Sequence, residues 1–177
     1  GWYIPAETPR GTLIYCHGNG ETVASPLESV EDFRLLQLNV LILDYGGYGR
    51  SEGRPSEARC YDDVRAAWTY LTEDRSESST RIILYGRSLG AAVAVQLAVE
   101  VRPAGLIMES GFTSIADMAR TVVPVIPVGF LVRHRFDSIG KMGRVNAPVL
   151  IIHSRGDALI PFEHGERLYA AAQEPKQ

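Results

Sequence analysis

Cysteine is scarce in this chain: two residues, Cys16 and Cys60, among 177. That excludes the disulfide framework by which small secreted domains hold together. Cys16 falls in an apolar run and Cys60 near the start of a helical stretch, so both read as reduced core thiols. Basic residues are not in surplus either, since 18 Lys and Arg against 21 Asp and Glu leave a formal charge of −3. Without a basic stripe to neutralise phosphates, no nucleic-acid partner is expected. No apolar run reaches the ~18 residues of a membrane-spanning helix, so no transmembrane segment is expected. The nearest approach, residues 122–132, is interrupted by Pro124 and Pro127. Internal repeats and low-complexity linkers are missing, and the opening Gly1-Trp2-Tyr3-Ile4 reads as strand rather than as a leader. A cytoplasmic location is expected, with membrane-peripheral attachment left to residues outside this chain.

What is present is a composition of 45% hydrophobic and 22% charged residues, enough to bury a real core in one domain over residues 1–177. Continuous apolar runs at residues 12–16, 40–43, 81–85, 104–108 and 148–152 read as buried strands. Between them lie helical patterns: Leu27, Val30 and Phe33 with Leu36 to Leu38; Tyr61, Val64, Trp68 and Leu71 behind a Ser56 N-cap; residues 91–98; and residues 162–172. Alternating strands and helices predict an α/β fold, doubly wound, with a mainly parallel sheet and helices on both faces.

Ligands in such sheets bind beyond the carboxyl ends of the strands, and three polar signals sit there. The sharpest is Gly86-Arg87-Ser88-Leu89-Gly90 between strand and helix, the setting of a nucleophile elbow. Ser88 is the candidate nucleophile, and the free N–H of Leu89 at the helix start is a candidate oxyanion donor. The turn His17-Gly18-Asn19-Gly20 closes the first long strand where a second donor belongs, and Asn19 N–H is that candidate. Asp157, in the loop after residues 148–152, is the candidate acid; Asp44 also follows a strand but precedes the serine and reads as a loop organiser. No base follows. His17, His134, His153 and His164 are the four histidines, and none comes after a further strand, so the catalytic histidine is expected outside these residues.

Residues 11–175 resemble the α/β-hydrolase superfamily, and within it the depalmitoylase-type α/β-hydrolase-domain proteins and their bacterial esterase-like relatives. The resemblance rests on His17-Gly18-Asn19-Gly20-Glu21, on residues 44–53, on the Ser88 motif, on Glu109-Ser110-Gly111-Phe112-Thr113-Ser114, and on residues 148–157 with Ile160-Pro161. It implies Ser88 as nucleophile, Asp157 as acid, and a histidine about thirty residues beyond that acid, after a last strand. On that likeness the domain is incomplete at both ends. Gly46 stands where relatives often carry Arg, which leaves a loop salt bridge of theirs without its cation.

Residues 112–141 form an apolar insertion that reads as a short lid over an acyl pocket, with Phe112, Met118, Phe130 and Leu131 as candidate substrate contacts. The expected activity is a serine hydrolase cleaving small-molecule or lipid-like acyl esters or thioesters through a Ser88 acyl-enzyme, with no cofactor and no metal. The alternative is a non-catalytic hydrolase-fold binding module. Residues 47–53 have the wrong glycine spacing for a dinucleotide fingerprint. A sheet edge left open would invite a second copy, so a homodimer through that edge is a further expectation. Without its base, the chain alone is expected to be nearly inactive.

Overall fold

The computed structural model describes residues 1–122 and 134–177. Six strands form one sheet: β1 (Trp2–Ile4), β2 (Gly11–Cys16), β3 (Leu38–Ile42), β4 (Ile82–Arg87), β5 (Gly105–Glu109) and β6 (Val149–Ile152). Their order across the sheet is β1-β3-β2-β4-β5-β6. Every neighbouring pair is parallel except β1 with β3, where Trp2 stands opposite Ile42 in antiparallel register. The expected α/β architecture with a mainly parallel sheet is therefore what the chain adopts.

Among the described residues six α-helices connect the strands: α1 (Leu27–Leu35), α2 (Glu57–Thr69), α3 (Leu89–Glu100), α4 (Ile115–Val122), α5 (Ile139–Met142) and α6 (Phe162–Ala171). Ser56 caps α2 as its sequence position predicts, its Oγ accepting the Arg59 N–H at 3.2 Å. The helical face Tyr61, Val64 and Leu71 is buried, although α2 ends at Thr69 and Leu71 sits in a π-helical turn, Tyr70–Asp74. Helix α1 is shorter than the sequence pattern suggests. Gln37 turns the chain at φ 62°, and Leu38 already belongs to β3.

The two faces of the sheet are covered unequally. Ile14, Cys16, Leu84, Leu106, Met108 and Val149 share one core with buried residues of α2, α3, α5 and α6. Helix α3 is buried nearly all round, from Leu89 to Ala98, as an apolar helix of this kind must be. The opposite face holds Leu13, Tyr15, Val40, Ile42 and Tyr85 under Val30 and Phe33 of α1. Beside it, Ile83, Ile107, Leu150 and Pro148 line an open apolar cleft of about 400 Å³ with Pro175. At the outer edge of β6, residues 175–177 continue the parallel ladder: Val149 N–H donates to Pro175 O (3.0 Å) and Gln177 N–H to Val149 O (2.9 Å).

One crossing sets the position of everything at the carboxyl edge. Gly90, at the start of α3, lies against the end of β2, where an added Cβ would overlap the Cys16 carbonyl oxygen. Backbone rather than a flexible side chain meets that Cβ, so nothing can give way cheaply. Gly90→Ala is expected to cost at least about 3 kcal/mol, read from denaturant melts, where Gly143→Ala costs under about 0.5. The contrast follows because a Cβ at Gly143 meets only the Ala171 carbonyl oxygen, at 3.7 Å.

Candidate active site

Ser88 occupies the turn between β4 and α3 with φ 53° and ψ −117°, a backbone region that side chains rarely enter. The strain is fixed from both sides. Ser88 N–H donates to Glu109 O (2.9 Å), and its own carbonyl accepts the Ala91 N–H (3.0 Å). Gly86 is needed for the same turn, since a Cβ there would strike the Gly90 carbonyl. As the first residue of α3, Leu89 has no helical partner for its N–H, and the positive end of the helix dipole lies beside it.

The turn after β2 lies next to this one, because β2 pairs with β4 up to Cys16 opposite Gly86. His17 is fully buried, and its Nδ1–H donates to Gly18 O (2.9 Å) while Nε2 stands 3.7 Å from Asp44 Oδ1. Asn19 is exposed; its side-chain Oδ1 accepts the Tyr48 hydroxyl (2.8 Å), and its N–H makes no hydrogen bond to any described residue. Two unengaged amides, of Asn19 and Leu89, thus belong to adjacent turns that flank Ser88.

Asp44 organises the loop that follows β3. Its Oδ1 accepts the Val23 N–H (2.8 Å), its Oδ2 the Arg50 N–H (3.4 Å), and its carbonyl the Ser51 hydroxyl (2.7 Å). Gly46 donates its N–H to Asp63 (2.7 Å), and the Arg59 side chain fills the space that a side chain at Gly46 would take. A cation thus stands beside Gly46 from α2, where Arg59 pairs with Asp63 at 3.2 Å.

Two strands from Ser88, the loop after β6 holds Asp157. Arg87, Glu109 and Ile152 are in register, so Ser88 and the β6 end stand about 10 Å apart, two strand spacings. Asp157 Oδ1 accepts the N–H groups of Leu159 and Ile160 (both 2.9 Å), and Oδ2 lies 3.8 Å from His153 Nε2. The carboxyl sits below its ordinary pKa, chiefly through the Ile160 N–H, with further help from Leu159, Ser110 and His153. Ser110, itself at φ 47°, follows β5 between the serine and the acid.

A cavity of about 370 Å³ opens on Ser88 and Leu89, walled by Phe112, Ile115, Phe136, Tyr48 and His134. Of the expected substrate contacts, Phe112 lines it. Met118 does not, and packs with Ile115 and Ile139 against the main core. Phe130 and Leu131 lie outside the described residues. Tyr48 and Glu57 come to the cavity unannounced by any local pattern, whereas His134 and Phe136 come from the stretch read as a lid. Glu57 holds the segment with His134 and Phe136: its N–H donates to His134 Nδ1 (3.4 Å), and its carboxylate accepts the N–H groups of Arg135 (2.7 Å) and Phe136 (3.0 Å).

The remaining histidines are engaged elsewhere. His153 Nε2–H donates to Ile160 O (2.8 Å), and Gly165 packs against its Nδ1 edge. His164 Nδ1 accepts the Thr113 N–H (3.2 Å), and burial with the Arg167 charge lowers its pKa. Burial pushes the thiols of Cys16 and Cys60 up to about 12, which leaves them inert. Among the described residues no group of His, Cys, Asp and Glu could hold a metal, and no helix is long and apolar enough to cross a membrane.

Solved structures with the same arrangement of strands and helices give the class. Est1E of Butyrivibrio proteoclasticus, solved with ferulic acid bound, matches at TM-score 0.80 and 17% identity, over 100% of this chain and 87% of its own. The α/β-hydrolase of Vibrio vulnificus matches at TM-score 0.80 and 21% identity, over 99% of this chain and 72% of its own. Likeness at such identities speaks for the fold, and the fold is that of the α/β-hydrolases. Within them the chain belongs to the hydrolase family described as serine aminopeptidase, S33, whose family model matches residues 7–133. The Mycobacterium tuberculosis protein Rv2307c is 41% identical over 180 residues, which take in 100% of this chain and 64% of that protein. YfhR of Escherichia coli K12 is 31% identical over 185 residues, 100% of this chain and 65% of its own. The chain thus spans a little under two thirds of the length of these relatives.

Because the folded pKa of Asp157 is lowered, its charge stabilises the fold fully above the ordinary carboxylate value of about 4. That contribution fades as the pH falls through the lower folded value. Asp157→Asn keeps an oxygen for the Leu159 and Ile160 amides but loses the charge. It is expected to cost about 1 kcal/mol at pH 7, and the gap to wild type should close in acid melts.

Proposed function

We propose that this chain carries the nucleophile, the acid and the oxyanion donors of a serine hydrolase acting on acyl esters or thioesters. The observation that carries the reading is Ser88 on its strained turn, with the unengaged amides of Leu89 and Asn19 on either side. Ser88 Oγ attacks the acyl carbonyl carbon, and the two N–H groups hold the oxygen as it becomes negative. Collapse of that intermediate expels the alcohol or thiol and leaves an acyl-enzyme, which water then hydrolyses. The cavity beside Ser88 is at the small end of the range for ligand pockets, about 300–1,000 Å³, and its Phe112, Ile115 and Phe136 walls favour a short acyl group. The same fold carries a monoacylglycerol lipase of Paleococcus ferrophilus, which matches with TM-score 0.73 at 18% identity, over 99% of this chain and 85% of its own, and such an activity is of the proposed kind.

We infer that the base is a histidine that these 177 residues do not supply, because each of the four they hold is engaged. His17, His153 and His164 have their rings turned to structural hydrogen bonds. His134 reaches the cavity, but its Nδ1 accepts the Glu57 N–H, so in the neutral ring Nε2 carries the hydrogen and has no lone pair to take the serine proton. Asp157, once such a histidine docks beside it, fixes the tautomer and supports the imidazolium.

In the full-length protein, Ser88→Ala is expected to lower turnover of p-nitrophenyl butyrate at least ~10³-fold and to abolish labelling by a fluorophosphonate probe. Wild-type protein that refuses the probe and hydrolyses no acyl ester would identify a binding module instead. His134→Gln should keep turnover within about tenfold of wild type; a collapse to the Ser88→Ala level would make His134 the base.

A further inference from the structure

Arg87 stands immediately before Ser88, at the last position of β4, and its side chain serves neither the cavity nor the apolar core. It lies instead between two carboxylates. Its Nη1 is 3.4 Å from Glu21 Oε1, and its Nε is 4.0 Å from Oε1 of Glu109, the residue in register with it on β5. The Tyr85 hydroxyl donates to the other oxygen of Glu109, which anchors that end of the cluster to β4.

Glu21 uses its second oxygen differently. Oε2 accepts the N–H of Gly18 at 2.8 Å, and the Glu21 N–H returns to Gly18 O at 3.3 Å. The turn between them, Gly18-Asn19-Gly20, is thereby closed on itself, with Gly20 at φ 77°. The fit is close: a Cβ on Gly18 would come within 3.3 Å of the Glu21 carboxylate and 3.5 Å of the Arg87 carbonyl oxygen. One side chain thus links the two turns, because the carboxylate that closes the first is paired with the residue that precedes Ser88 in the second.

We propose that Glu21 and Arg87 are a positioning couple that sets the Asn19 amide in register with the Leu89 amide around Ser88. The inference rests on the serine-hydrolase reading above. Neither residue touches the reacting atoms, so neither is catalytic in itself. With their side chains 25% and 46% exposed, the ion pair adds at most about 1 kcal/mol to stability. An oxyanion donor displaced by about 1 Å, by contrast, can cost on the order of 10²-fold in rate. The couple therefore acts on geometry far more than on stability, and the two effects separate experimentally.

In the full-length protein with p-nitrophenyl butyrate, Glu21→Ala is expected to lower kcat about 10- to 100-fold, with KM within about threefold and the melting temperature within a few degrees. Glu21→Gln keeps an acceptor for the Gly18 N–H and should recover part of kcat. Arg87→Ala added to Glu21→Ala should cost little more, since both remove the same link. An unchanged kcat in Glu21→Ala overturns the proposal, and so does a loss of kcat that only tracks a falling melting temperature. A second readout needs no turnover: amide hydrogen exchange over residues 17–22 should quicken in Glu21→Ala, and unchanged exchange overturns the couple. Should wild-type protein hydrolyse no ester in a Ser88-dependent way, the hydrolase reading fails alone, and the exchange result still decides whether the couple holds the turn.

Discussion

The contact between the start of α3 and the end of β2 is the constraint on which the site depends. At Gly90 the helix backbone touches the Cys16 carbonyl, a distance at which no Cβ fits. Bringing a helix that close while it follows directly from β4 forces a sharp turn, and the residue at its apex is pushed to φ 53°. Such a conformation costs on the order of 1–3 kcal/mol for a residue with a side chain. Burial of α3 offsets it: Ala91, Val93, Ala94, Val95 and Leu97 are all but inaccessible between the sheet and the neighbouring helices. The strained serine, the open amide behind it and the neighbouring β2 turn all follow from that one approach.

Around this centre the loops at the carboxyl edge share a device. Most are held by a carboxylate that accepts backbone N–H groups: Glu21 on Gly18, Asp44 on Val23 and Arg50, Asp63 on Gly46, Glu57 on Arg135 and Phe136, and Asp157 on Leu159 and Ile160. A charged acceptor makes a stronger hydrogen bond than a neutral one, and an irregular loop has amides that no strand or helix satisfies. Glu57 gains further because it sits in the first turn of α2, where the helix dipole favours negative charge. It also ties Phe136, at φ 40°, into the cavity wall. Asp157 illustrates that the same carboxylate can cap a turn with one oxygen and leave the other facing a histidine.

Much of this was legible in the sequence, and the reason is local. The five apolar runs mark strands because a parallel sheet buries both faces, and the Ser56 cap announces α2 through a hydrogen bond three residues long. The strand, Gly-x-Ser-x-Gly turn and apolar helix placed Ser88 at a strand end for the same reason, since two glycines and a serine in that context leave the backbone few other paths. Asp44 as a loop organiser was likewise readable from its place after β3. The four histidines were harder: composition says only that they are present, and which ring nitrogen carries a hydrogen depends on partners such as Gly18, Glu57, Thr113 and Ile160.

By itself, then, the sequence determined the parallel α/β framework, the serine turn and the order in which serine and aspartate follow along the chain. Only the tertiary structure decided what meets across it. Glu57 and His134 are far apart in sequence and become neighbours because α2 and the segment at 134–136 close on the same cavity. Met118 packs against the core while Ile115, on the same helix, lines the cavity, a division that their apolar pattern does not specify. Arg59 supplies a cation beside Gly46 from another element, so the motif's own missing arginine could not foretell it. Periodicity records which residues a local segment must bury; long-range pairing of loops is set by the packing of whole elements, and no window of the chain contains it.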